Sequence, residues 1–96
     1  MAKYILLMNW TEQGFKAIKE SGNRYEAAKE LARQCGCTME ATYMTLGQYD
    51  QVTIMEAPND EAIALFDLRV AALGNVRLVT MRAFDVDEYR RITSSV

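Results

Sequence analysis

Residues Lys3 to Trp10 form an unbroken apolar run that ends at cap-forming residues, which predicts a strand buried on both faces rather than a helix. Helical spacing follows in two pieces. Thr11 or Asn9 can cap the first, which carries Phe15 and Ile18 on one face, and Ser21-Gly22-Asn23 interrupts the rhythm. Asn23 with Glu26 three residues on reads as a capping-box restart, and Tyr25, Ala28, Leu31, Ala32 and Cys35 continue one apolar stripe until Gly36 ends it. Cys37 to Leu46 and Gln51 to Ala57 read as two strands joined by Gly47-Gln48-Tyr49-Asp50, a hairpin. Pro58, Asn59, Asp60 and Glu61 then stop the strand, cap a helix and place negative charge in its first turn. Ile63, Phe66, Val70 and Leu73 recur at three- and four-residue intervals up to Gly74-Asn75. Val76 to Phe84 is the fourth strand. Asp85 with Glu88 caps a short terminal helix over Val86 to Ile92, and residues 93–96 are expected to fray.

The order βαββαβ predicts an α+β, ferredoxin-like fold: a four-stranded antiparallel sheet with both crossover helices on one face, because crossovers are right-handed. The other face is then bare. Turning Thr53, Met55 and Ala57 inward leaves Val52, Ile54 and Glu56 outside. Turning Val79, Met81 and Ala83 inward leaves Val76, Leu78, Thr80, Arg82 and Phe84 outside. Either Leu6, Met8 and Trp10 or Ile5 and Leu7 add to that face from the first strand. An apolar sheet face of this size calls for a partner, and pairing about a two-fold axis through Val52, Ile54, Leu78 and Phe84 supplies one. Self-association also suits the length: 96 residues make a single domain, 1–96, that buries roughly 60–65% of its unfolded surface.

Composition narrows the function classes. A net charge of −2 offers no basic footprint for nucleic acid, and no apolar run reaches the length of a membrane span, so the chain reads as cytoplasmic. The absence of histidine removes the usual general base and haem ligand. Cys35 and Cys37 are open to three readings, as buried small residues, a redox pair or half of a metal site. With no further cysteine or histidine, no metal and no cofactor is expected. Glu56 and Arg82 are the two charges assigned to the bare face, as an ion pair or as a polar pocket. Asn9, Trp10, Tyr43 and Tyr49 join them as candidate ligand-binding groups, and Glu56 and Asp50 are the candidate proton-handling carboxylates. For the Tyr49-Asp50 hairpin the alternative is structural, with Asp50 bonding the turn and Tyr49 covering the sheet end.

Three stretches, WTEQGFKAIKES, TLGQYDQVTIMEAPNDE and LGNVRLVTMRAF, stand in the order in which they occur in the GYD-domain family, and over roughly residues 3 to 91 the chain resembles that family of small bacterial and archaeal proteins. Gly47, Tyr49 and Asp50 match the name-giving stretch, followed by Glu56-Ala57-Pro58 and by the junction Gly74-Asn75-Val76-Arg77. The resemblance implies a dimeric α/β barrel. It leaves function open, since similar families host cofactor-free monooxygenases, isomerases, haem-degrading enzymes and ligand-sensing domains. The sequence thus favours a homodimeric small-molecule-binding or regulatory module; the alternatives are a cofactor-independent oxygenase or isomerase acting on a small organic substrate, and a purely structural oligomer.

Overall fold

A computed structural model describes all residues, Met1–Val96. The chain runs β1 (Ala2–Trp10), α1 (Glu12–Lys16), a 3-10 turn (Ile18–Glu20), α2 (Ser21–Gln34), β2 (Thr38–Met44), β3 (Gln51–Ala57), α3 (Asp60–Ala72), β4 (Val76–Ala83) and α4 (Val86–Thr93). The sheet order is β2-β3-β1-β4, with every neighbouring pair antiparallel, which is the expected ferredoxin-like arrangement.

The punctuation read from the sequence holds at most boundaries. Thr11 Oγ1 accepts from the Gly14 N–H at 3.1 Å, Asn59 caps α3 by accepting from Ala62 N, and Asp85 with Glu88 forms a reciprocal capping box. Gly36 and Gly74 close their helices in the left-handed region, at φ 76° and 83°. One boundary differs. The break in the first helical pattern lies at Ala17–Glu20, and α2 begins at Ser21 with no side-chain cap. Asn23 Nδ2 donates to the Glu20 carboxylate instead, because the 3-10 turn passes its backbone bonds on to α2 and leaves no free N-terminus at Asn23 to cap.

The core is small. Tyr4 and Leu6 from β1, Met55 and Ala57 from β3, Ala32 and Cys37 around the end of α2, and Ile63 and Phe66 from α3 form one buried cluster. Only ten of the 96 residues are buried, which leaves much of the apolar surface of a single chain facing water.

The facing of β3 is as expected, with Thr53, Met55 and Ala57 buried. The facing of β4 is the reverse of the expectation. Leu78 packs against the core and Thr80 Oγ1 donates to Asp67 on α3 at 2.5 Å, whereas Val79 and Met81 are exposed. Both registers of β4 bury two or three apolar residues, so alternation alone is ambiguous. A carboxylate on α3 opposite Thr80 satisfies a polar residue inside and selects the register. Leu78 is therefore part of the helix-side packing, and Phe84 lies beyond the end of β4, exposed, under the Arg82 guanidinium at 4.5 Å.

With that facing, β4 gives Val79 and Met81 to the bare face in place of Thr80 and Arg82. Tyr43, Val52, Leu7 and Val79 form one cross-strand row, and Ala41, Ile54, Ile5 and Met81 form the next. One end is closed by Lys3, whose ammonium bonds Glu40 at 2.7 Å and Glu56 at 3.0 Å; Asn9 and Arg77 are paired at the other. The β-bulge between Met39 and Ala41 brings Glu40 to Lys3.

Candidate functional site

On the opposite face of the sheet, a cleft of about 230 Å3 opens between α2, α3 and the strands. It exists because α2 presents Ala27 and Ala28 there, side chains too short to reach the sheet. Ten of its sixteen lining residues are apolar, among them Met8 and Trp10 from β1, Leu31 from α2 and Val70 from α3. The polar groups are few: Arg24 and Ser21 from the start of α2, Thr42, Gln51 and Thr53 from the sheet, and Asn75. An apolar hollow with a few fixed polar groups is the usual form of a small-molecule site.

Each polar group has a local reason for its place. Thr42 on β2 and Thr53 on β3 are register partners, and their hydroxyls meet at 3.1 Å. Arg24 Nη1 donates to the Ala17 carbonyl at 2.7 Å and Nη2 to that of Gly14 at 3.4 Å, so the α1 segment holds the guanidinium in position. The α1 segment is in turn tied to the α3–β4 junction. Thr11 N donates to Asn75 O at 3.0 Å, Thr11 Oγ1 to Gly74 O at 2.5 Å, and Gln13 Nε2 to both Leu73 O and Asn75 Oδ1. Gly14 makes this docking possible, since a Cβ there would lie 2.1 Å from Asn75 O.

Of the candidate binding residues, the structure brings only Trp10 into the cleft, edge-on to Phe15 at 5.5 Å. Asp50 supports it from behind: its carboxylate accepts from the Trp10 backbone N–H at 3.0 Å, and its own N–H donates to Met8 O at 2.9 Å. The distinctive hairpin thus clamps the end of β1: the Asp50 carbonyl bonds its own turn, accepting from Thr45 N at 2.9 Å, while its carboxylate reaches across the sheet. Tyr49 contributes its carbonyl, which accepts from Thr45 Oγ1 at 2.6 Å. Tyr43 and Asn9 belong to the bare face.

Glu56 and Arg82 do not share a face. Glu56 pairs with Lys3 on the bare side, and that ammonium, bonded to it, holds its carboxyl below the usual glutamate range. Arg82 stands at the same end of the sheet but on the helix side, 5.7 Å from the Tyr4 ring and 3.5 Å from the Glu88 carboxylate. The expected joint site fails because reversing β4 moves Arg82 through the sheet while Glu56 stays. The Thr42–Thr53 pair and Arg24 were missed. Thr53 was already placed inward, and its cross-strand partner was the available signal; Arg24 carried none, since an arginine on an amphipathic helix normally faces solvent.

Two further groups have displaced protonation. Burial pushes the Asp67 carboxyl up, opposed by the Thr80 hydrogen bond, and its Oδ1 is buried without a partner. Burial also raises the Cys37 thiol, while Cys35 Sγ faces Arg69 Nη1 at 3.6 Å. No three Cys, Asp or Glu side chains converge in a way that could hold a metal ion.

Comparison with known proteins agrees with this architecture. A relative from Thermus thermophilus, the glutamine synthetase and cystathionine beta-lyase binding protein, is 32% identical over 87 residues, 90% of this chain and 92% of its own length. Among solved structures, TTHA0845 from the same species superposes with a TM-score of 0.58 at 22% identity, covering 90% of this chain and 96% of that one. The leucine response regulatory protein LrpA of Mycobacterium tuberculosis gives 0.66 at 14% identity, over 88% of this chain and 51% of its own. At those identities the two structures share the fold. The family model for the GYD domain matches residues 4–93, from the first buried side chain of the core to the last residue of α4, and the chain belongs to the GYD-domain family.

Proposed function

We propose that this chain is a homodimeric regulatory module of the cytoplasm that takes a small molecule in the α2/α3 cleft and engages a protein partner. The cleft carries the reading: an open apolar hollow of about 230 Å3 with a few fixed polar groups has the form of a small-molecule site. The bare face supports the dimer, with its two cross-strand rows of mainly apolar side chains. The protein partner is suggested by the relative named for binding two enzymes.

Catalysis by the carboxylates gains no support from this geometry. Glu56 is held ionised by Lys3, and Asp50 is engaged with the Trp10 N–H. Native mass spectrometry together with light scattering on protein from its own host tests the proposal. The expected species is twice the 10.9 kDa chain mass and carries a small ligand. A monomer at micromolar concentration whose cleft binds no small molecule would refute it.

A further inference from the structure

We infer that the α2/α3 cleft takes a small apolar monocarboxylate, an inference that rests on reading the cleft as a binding site. Charge sets the class. Arg24 is the one charged residue in the lining, which has no Asp or Glu. No carboxylate stands within ion-pair distance of Arg24, and its two hydrogen bonds go to backbone carbonyls, which orient the guanidinium without neutralising it. Three of its five N–H donors remain for a ligand, and a carboxylate is the group that fits a guanidinium best. An amine brought into the same cleft would have no anion to pair with.

The floor makes the same demand. The Thr42 and Thr53 hydroxyls carry two protons but share one hydrogen bond, so one proton is left to donate. Thr53 is 1% exposed and is placed to donate to Thr42, so the proton left over is that of the half-buried Thr42 hydroxyl, and an acceptor on the occupant satisfies it. The occupant's remainder is apolar, because Met8, Leu31, Met39 and Val70 surround it. At interior packing density a cavity of 230 Å3 holds about 170 Å3 of molecule, the size of a ring or branched chain bearing one acid group.

Trp10 is the chain's only tryptophan and lines the cleft, so its emission reports occupancy. Phenylacetate and 4-methylpentanoate are titrated beside 2-phenylethanol and phenylethylamine, with calorimetry in parallel. The acids are expected to bind saturably and about tenfold tighter than the alcohol, and the amine not to bind. Arg24→Gln should remove the preference for acids while leaving the alcohol's affinity in place. Should that variant lose α1 and fail to fold, Thr42→Val carries the test, with an expected loss of several-fold for the acids. Ala28→Phe fills the cleft and should abolish all binding. If the alcohol or amine binds as well as the acids and Ala28→Phe blocks it, the ligand class is wrong and the binding site stands. If no probe moves Trp10 or releases heat, both readings fall.

Discussion

Leu7 sits at the middle of the bare face, between Val52 on β3 and Val79 on β4, so Leu7→Glu places a charge where the proposed two-fold interface is driest. In the single chain Leu7 is already half-buried, and closing the interface buries the rest, worth about 1 kcal/mol per copy. The two-fold axis doubles that loss. The substituted carboxylates then face apolar rows in both copies with no counter-charge, which adds at least about 1 kcal/mol per copy at the low end of the cost of burying an unpaired polar group. The sum is at least about 4 kcal/mol, or three orders of magnitude in the dimer dissociation constant. Sedimentation equilibrium over a hundredfold range of concentration reads it directly, with circular dichroism to confirm that the monomer stays folded. Leu68→Glu on α3, an outward residue 69% exposed, is the control and should leave the mass unchanged. A Leu7→Glu chain that remains dimeric with the wild-type constant would refute the sheet-to-sheet arrangement.

Three further outcomes follow from individual contacts. Gly14→Ala should destabilise by about 1–3 kcal/mol in urea unfolding although alanine favours helix, because its Cβ meets Asn75 O at 2.1 Å; Gly22→Ala, in open space on α2, should stabilise by about 0.5–1 kcal/mol. The Asp67 carboxyl is raised above its ordinary 3.8, so its contribution to stability is present below that pH and is lost as pH rises through the higher folded value; unfolding midpoints from pH 3 to 7 should therefore fall less steeply with rising pH in Asp67→Asn than in the wild type. In a thiol titration of the native protein Cys35 should react first and Cys37, 5% exposed and with its thiol pushed up by burial, only on unfolding; equal rates would contradict the packing of the α2–β2 junction.

Much of the architecture was legible because it is written locally. Thr11, Asn59 and the Asp85–Glu88 pair each bond backbone within three residues, and the 3.6- and 2-residue periods need no knowledge of distant partners. Those signals determined the element order, the hairpin and the existence of a bare apolar face, which period-2 alternation on β3 had already outlined with Val52 and Ile54. They did not determine which way β4 turns, because Val76 and Leu78 compete with Val79 and Met81 as equally apolar sets. That choice belongs to tertiary structure: Asp67, thirteen residues away on α3, meets Thr80 and pulls its face inward. From it follow the composition of the bare face and the separation of Glu56 from Arg82; the polar groups of the cleft, Arg24 and the Thr42–Thr53 pair, come from α2, β2 and β3, which only the folded chain brings together.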